Sequence, residues 1–228
     1  DPFHLMGMDA AVNYIQQAVQ AGETIGVFGD YDVDGATSSA ILLRYFAALG
    51  TKAVVHIPDR QKEGYGPNLY GFEKLKEQGA SLIITVDTGA LAHDVLAQAK
   101  AQGYRVIVLD HHQGEPELPD CLAVVNPNRF DEITEYRYLA AVGVTFLALV
   151  GLHKRLREAD YFAEREAPNL LELLDIVALG TVCDVVPLVG LNRAFVTQGL
   201  KVMAHRQNAG IDCLLSVGGV DEVPSTYH

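Results

Sequence analysis

Positive charge is scarce in this sequence, cysteine is scarcer, and no apolar run approaches the length of a membrane helix. Of 228 residues, 17 are Lys or Arg and 29 are Asp or Glu, a formal net charge of −12. Surfaces that grip phosphate backbones are normally basic, so this balance speaks against nucleic acid as a ligand unless several of the acids face metal ions. Two divalent ions would add four positive charges at the place where a phosphate would lie. The three cysteines, Cys121, Cys183 and Cys213, are odd in number and show no CxxC spacing. They exclude a disulfide framework and a cysteine-rich zinc site, and read as buried free thiols of a reducing cytoplasm. The longest apolar stretch, Leu139 to Leu152, falls short of the roughly 18 residues of a membrane span and reads as a buried helix, with no membrane partner expected. The opening Asp1-Pro2-Phe3-His4 lacks a basic region followed by an apolar core, so no signal peptide is expected. Hydrophobic residues make up 49% and charged residues 20%, which excludes a disordered chain. No internal repeat or low-complexity tract is present.

What the sequence does contain is an alternation. A helix is expected from about Asp9, as N-cap, to Gln20, with Val12, Ile15 and Val19 on one stripe and Gly22 after it. Thr24–Gly29 (TIGVFG) then reads as a buried strand and Thr37–Leu49 as a helix closed by Gly50. Strands follow at Lys52–Ile57, Leu82–Val86, Arg105–Leu109 and Leu122–Val125, with helices at Gly71–Gln78 and Leu91–Gln102. Strands apolar on both faces, alternating with helices, indicate a parallel, doubly wound α/β sheet of about five strands over residues 1–130. Residues 131–228 read as a mainly helical part of the same lobe, with helices at Tyr138–Glu158, Asn169–Thr181 and Leu191–Arg206.

Ligands of open parallel sheets bind outside the carboxyl ends of the strands, and three of those ends carry acids here. The first runs into Gly29-Asp30-Tyr31-Asp32-Val33-Asp34-Gly35, the third into Asp87-Thr88-Gly89, and the fourth into Asp110-His111-His112. A single strand-final aspartate is commonly a helix N-cap. Three such ends in one sheet are harder to explain that way, because clustering them without a cation would cost several kcal/mol in repulsion and desolvation. Carboxylates with imidazoles suit manganese or magnesium, and a pair of such ions stabilises the attacking and leaving oxygens of an in-line displacement at phosphorus. Asp184, after the apolar helix ending at Leu179-Gly180, could complete the set by folding back over the strand ends.

These residues carry a resemblance. Asp110-His111-His112 after a strand is the signature of the DHH phosphoesterase family, and Gly29–Gly35 resembles the first motif of its RecJ-like branch. Further blocks appear in order: Pro58-Asp59-Arg60 with Glu63-Gly64-Tyr65-Gly66, Val86–Gly89, Asn126-Pro127, Gly143-Val144, and Leu179–Leu188. The resemblance covers nearly the whole chain. It implies a 5′-to-3′ exonuclease that hydrolyses single-stranded DNA in repair and recombination, with two Mn2+ or Mg2+ ions as cofactors. It implies metal ligation by Asp32, Asp34, Asp87, His111 and Asp184, with Asp30 close by. RecJ-like proteins continue into a DHH-associated domain and an oligonucleotide-binding barrel. Neither is visible here, so an isolated catalytic lobe is expected.

On this reading Asp30, Asp34, Asp87, His111 and His112 carry the chemistry. His112 would face a phosphate or act as general acid, and Asp30 would orient a ligand from behind. Gly35 would let the backbone turn behind the acids, while the helix beginning near Thr37 points its N-terminus at the site. Asp34→Ala is expected to abolish activity with little loss of fold. Arg60 and Tyr65 would meet substrate, the first at a phosphate and the second stacked on a base; the alternative is a solvated surface loop. Asn126 is a further candidate for substrate contact, although a turn around Pro127 explains it, Asn128 and Arg129 better. Tyr31 is assigned to packing, and His56, His93, His153 and His205 are read as surface or satisfied histidines. A single-strand-binding protein and a helicase are the implied partners, with a monomer favoured. Two other functions remain open: a DHH phosphodiesterase acting on short oligonucleotides or small nucleotides, and a silent DHH-like scaffold that binds nucleic acid or replication proteins.

Overall fold

The computed structural model describes residues 1–228. Five strands form one sheet: β1 (Thr24–Gly29), β2 (Ala53–His56), β3 (Ala80–Val86), β4 (Val106–Leu109) and β5 (Ala123–Val125). All neighbouring pairs are parallel and the order is β2-β1-β3-β4-β5. The chain thus winds outward from β1 to one edge, then returns to the other side of β1 at β3. That reversal leaves a crevice at the carboxyl ends of β1 and β3, where open sheets of this kind hold ligands.

The strands are apolar on both faces because both faces are covered. Ile25, Val27, Ile84, Val86, Ile107 and Leu109 point into the larger core. That core is shared with α1 (Met8–Gln20), α2 (Val33–Leu49) and α5 (Ala141–Glu158). Phe28, Ile83, Val106 and Val108 point the other way, against α3 (Leu69–Glu77) and α4 (His93–Ala101). The remaining helices are α6 (Leu174–Cys183), α7 (Gly190–Met203) and α8 (Ala209–Val217). α6 packs on α2 and α5, and α7 packs on α6. Leu173, Leu174, Ile176 and Val177 belong to the same continuous core as Ile41, Leu42 and Phe46 of α2. No helix is long and apolar enough to cross a membrane.

Several sequence expectations need correcting. Asp9 is not the N-cap of α1: Gly7, at φ 78°, holds that place and Asp9 lies in the first turn. α2 begins at Val33, four residues before the expected Thr37, because the Asp32 carboxylate accepts from the Gly35 amide and caps it. Gly35 is therefore helical, and its small size serves a close approach: a Cβ there would lie 2.5 Å from the Asp30 carbonyl oxygen. α8, capped by Asn208, has no counterpart in the sequence reading. All three cysteines are free, but Cys183 and Cys213 are exposed, not buried. Of the histidines set aside, His56 is paired with Glu63 at 2.8 Å. His153 is buried, with Nδ1 3.1 Å from the Tyr45 hydroxyl.

Candidate metal centre

The acids follow directly from the sheet. One residue beyond each strand the ladder continues: the Asp30 amide donates to the Val86 carbonyl at 3.2 Å, Asp87 to Leu109 at 3.0 Å, and Asp110 to Val125 at 3.0 Å. Their side chains are consequently delivered to one edge of the sheet. Asp30, Asp34, Asp87 and Asp110 are all buried, none more than 3% exposed.

Three groups of ligand atoms converge there, each spanning no more than 4.8 Å: Asp30, Asp32 and Asp87; Asp34, His111 and Asp184; and Asp87, His111 and His112. Asp87 and His111 each belong to two groups, so the sets form one continuous cluster. His111 Nε2 lies 3.3 Å from Asp87 Oδ1 and 3.8 Å from Asp34 Oδ2, and its Nδ1 lies 3.7 Å from Asp184 Oδ2. No lysine or arginine pairs with any of these carboxylates; the only basic partners are the two histidines.

Unpaired oxygens show where positive charge is wanted. Both carboxylate oxygens of Asp87, Asp30 Oδ1 and Asp184 Oδ2 are buried without a hydrogen-bond partner, an arrangement that costs about 1–3 kcal/mol per group or more for a charged one. Asp87 also holds φ at 60°, the left-handed region that non-glycine residues rarely adopt. Burial, reinforced by Asp34 and Asp32, pushes its carboxyl up to about 8. Burial likewise pushes Asp34 up to about 6, against the pull of His111. For His111 burial acts downward, but Asp87, Asp34 and Asp184 outweigh it and drive the imidazole up to about 9.

The orientation of His111 fits a cation. Its Nδ1 lies 3.2 Å from the Leu139 carbonyl oxygen, so Nδ1–H donates there and Nε2 faces Asp34 and Asp87, where its lone pair would serve a cation once the proton is displaced. Metal-bound histidines are held in the same manner, the second nitrogen donating to a carbonyl or carboxylate. With only oxygen and imidazole nitrogen in the cluster, the donor set suits a hard divalent cation. The residues present therefore fit the metal that the sequence implies.

Asp34 has a second task that the sequence did not disclose. α5 starts at Ala141 with no side-chain cap of its own. Asp34 Oδ2 accepts from the Ala141 amide at 2.6 Å and Oδ1 from the Val142 amide at 2.8 Å, which places a carboxylate at the positive end of the helix. Asp34→Ala is accordingly expected to lower stability by about 1–2 kcal/mol, read as a fall in the urea midpoint of the chelated protein. An unchanged midpoint would contradict this capping role.

Asp110, absent from the sequence-derived site, is the best satisfied of the acids. Its Oδ2 accepts from the Ala90 amide at 2.8 Å. Its Oδ1 accepts from the His111 amide at 2.7 Å and from His112 Nδ1 at 2.7 Å. Burial would raise its pKa, but His112 and the backbone amides prevail and hold it below the usual carboxylate range. It fixes His112 with Nδ1–H inward and Nε2 outward, 3.4 Å from the Tyr65 hydroxyl. The signal was in the sequence, as the first letter of Asp-His-His, but its bonds were not.

The remaining candidates divide. Tyr65 is 61% exposed beside His112. Arg60 lies over the Tyr31 ring at 5.2 Å, and Tyr31 meets Tyr65 edge to face at 6.3 Å. Tyr31 is thus part of the rim, not a packing residue. Asn126 is fully buried; its amide donates to the His112 carbonyl at 2.8 Å and its oxygen accepts from the Asn128 amide. It braces the histidine loop and, fully buried, presents no surface to substrate. Asp184 reaches the cluster because α6 presses closely on α2. A Cβ at Gly180 would overlap Thr37 Oγ1 and come within 3.0 Å of Val142.

The sequence model of the DHH family, N-terminal domain, matches residues 24–181. The chain belongs to the DHH family. It is similar to the single-stranded-DNA-specific exonuclease RecJ of Bacillus subtilis, 42% identical over 224 residues, which are 97% of this chain and 26% of that protein. Among solved structures it resembles exonuclease RecJ bound to manganese. There the TM-score is 0.81 and the identity 36%, over 95% of this chain and 53% of the other. It also resembles RecJ in complex with Mn2+ from Thermus thermophilus. That match has a TM-score of 0.74 and 35% identity, over 93% of this chain and 29% of the other. The DHH chain thus spans about a quarter of the length of the Bacillus relative and about half of the first structure.

Proposed function

We propose that this DHH chain carries the hydrolytic centre of an exonuclease specific for single-stranded DNA, working in the 5′-to-3′ direction with Mn2+ or Mg2+. The observation that carries the reading is the convergence of Asp30, Asp32, Asp34, Asp87, His111 and Asp184 around buried oxygens that no lysine or arginine of the chain neutralises. Asp32, Asp34, Asp87, His111 and Asp184 would hold two divalent cations, with Asp30 beside them. When bound, such ions supply Lewis acidity at a phosphoryl group and a more acidic water.

The chain's own residues do the rest. Leu139 fixes the His111 tautomer through its carbonyl oxygen. Asp110 holds His112 so that Nε2 projects outward, where it can hold a phosphate oxygen or give a proton to the leaving oxygen. Arg60, exposed at the rim over Tyr31, meets the phosphate backbone, and Tyr65 meets a base. The helical residues 131–228 belong to the same catalytic unit as residues 1–130, contributing Asp184 and the α5 amides that hold Asp34.

An exonuclease of this kind fits a role in DNA repair and recombination in the cytoplasm, with the chain as a monomer. A helicase would supply the unpaired strand and a single-strand-binding protein would present it. The net charge of −12 favours a second reading, hydrolysis of short oligonucleotides, which need fewer phosphate contacts. A comparison of end-labelled single strands, the same strands in duplex and dinucleotides, with Mn2+ and with chelator, tests both. Degradation of the long strand, sparing of the duplex and arrest by chelator are expected. Equal cutting of duplex, or indifference to chelator, would overturn the proposal, and exclusive cleavage of dinucleotides would install the second reading.

A further inference from the structure

A cleft of about 350 Å³ opens beside His112, between the loop carrying Tyr65 and the turn that leads from Thr88 into α4. It shares His112 with the acidic cluster, so a molecule held at the cluster can extend into it. Two large apolar side chains line it without being buried themselves, Tyr65 at 61% and Leu91 at 51% exposure. Pro67, Ala92 and Val95 form its walls. No lysine or arginine lines it and Asp110 borders it, so beyond His112 at its edge a phosphate would find no cation. The chemistry asks for a neutral, flat, largely apolar group.

One polar atom is placed to recognise such a group. Thr88 is 1% exposed, yet only its carbonyl is engaged, by Thr85 Oγ1 at 3.0 Å. Its own hydroxyl has no hydrogen-bond partner and lies on the cleft side, 3.8 Å from where a Cβ of Gly66 would be. A hydroxyl both donates and accepts, so it can serve the edge of any base without selecting among them.

We propose that this cleft receives the base of the terminal nucleotide, with Leu91, Val95 and Thr88 as determinants of single-strand specificity. The proposal rests on reading the acidic cluster as a phosphodiesterase centre. The volume suits one nucleoside. A base would have to leave its partner to enter a cleft of that volume. Contact with an apolar face and an adaptable hydroxyl gives base binding that tolerates every sequence.

The test compares two ligands of the Mn2+-loaded chain by calorimetry: thymidine 5′-monophosphate and 2-deoxyribose 5-phosphate, which lacks only the base. The nucleotide is expected to bind at least about tenfold more tightly. Leu91→Ala, at an exposed position, should reduce that ratio to about twofold, and Val95→Phe, which fills the cleft, should do the same. Equal affinity of the two ligands in the unaltered chain, absence of binding by both, or a ratio untouched by both substitutions would overturn the proposal. The outcome is separable from the parent reading. Loss of the ratio with hydrolysis intact sinks the cleft alone, and an intact ratio with no hydrolysis of any DNA sinks the phosphodiesterase reading alone.

Discussion

Asp87→Asn is expected to abolish hydrolysis while making the chelated protein harder to unfold. Asp87 is buried, both its oxygens lack hydrogen-bond partners, and its ligand atoms lie among those of Asp30, Asp32 and His111. An amide at this position keeps the shape, removes the charge and adds two donors facing carboxylates. Asparagine also tolerates the left-handed backbone better than other non-glycine residues, so the φ of 60° is retained at little cost. In chelator at pH 8.5 the variant should gain about 1–3 kcal/mol, measured as a higher urea midpoint than the wild type. With Mn2+ present, removing one anionic ligand shared by two groups should cost at least about 100-fold in the rate on single-stranded DNA. A variant that hydrolysed within threefold of wild type, or that unfolded more readily than wild type in chelator, would show that Asp87 is not held there for a cation.

The second large effect concerns pH. In the chelated protein His111 is raised from 6.5 to about 9. The unfolded chain gives up that proton near 6.5 and the folded chain keeps it, so the contribution is fully present below 6.5 and lost as pH rises through about 9. Asp87 acts in the same direction, being raised from 3.8 to about 8. The folded state retains a proton that the unfolded state has released, and its stability falls as pH climbs across that window. Each proton is worth about 1.4 kcal/mol per pH unit, and both act between pH 6.5 and 8. Chelated protein should therefore lose thermal stability steeply over that interval. Saturating Mn2+ should raise the unfolding temperature progressively more as pH increases, because the cation replaces those protons and binds only the deprotonated groups. Chelated and Mn2+-loaded melting curves that coincide from pH 6 to 9 would refute a cation site in this cluster.

Much of this is legible in the sequence. TIGVFG, LIITV and RVIVL announce strands covered on both faces, and aspartates directly after them mark the ligand edge of a parallel sheet. What the chain order hides is how one acid can serve two elements. Asp34 caps α5 across more than a hundred residues, and no local pattern at Ala140-Ala141 asks for a distant carboxylate. The same limit applies to Asn126. A turn around Pro127 is legible, and the Asn126 oxygen does accept from the Asn128 amide, but the bond from its amide to the histidine loop is not legible. Gly180 was readable as part of a block, but its reason, the pressure of α6 on Thr37, exists only in the packed protein. The free hydroxyl of Thr88 is likewise a product of packing, with no local pattern to announce it.

The junction of Asp34 with the first turn of α5 bears on how the chain can be divided. Leu139 steadies His111, and two residues later the Ala141 amide holds Asp34. The boundary that composition suggests near residue 130 therefore runs through the support of the cluster. A piece ending there would keep five strands and most of the acids, yet lose the struts that aim Asp34 and His111. Any minimal catalytic fragment has to carry the chain beyond that boundary, through α5 and on to Asp184.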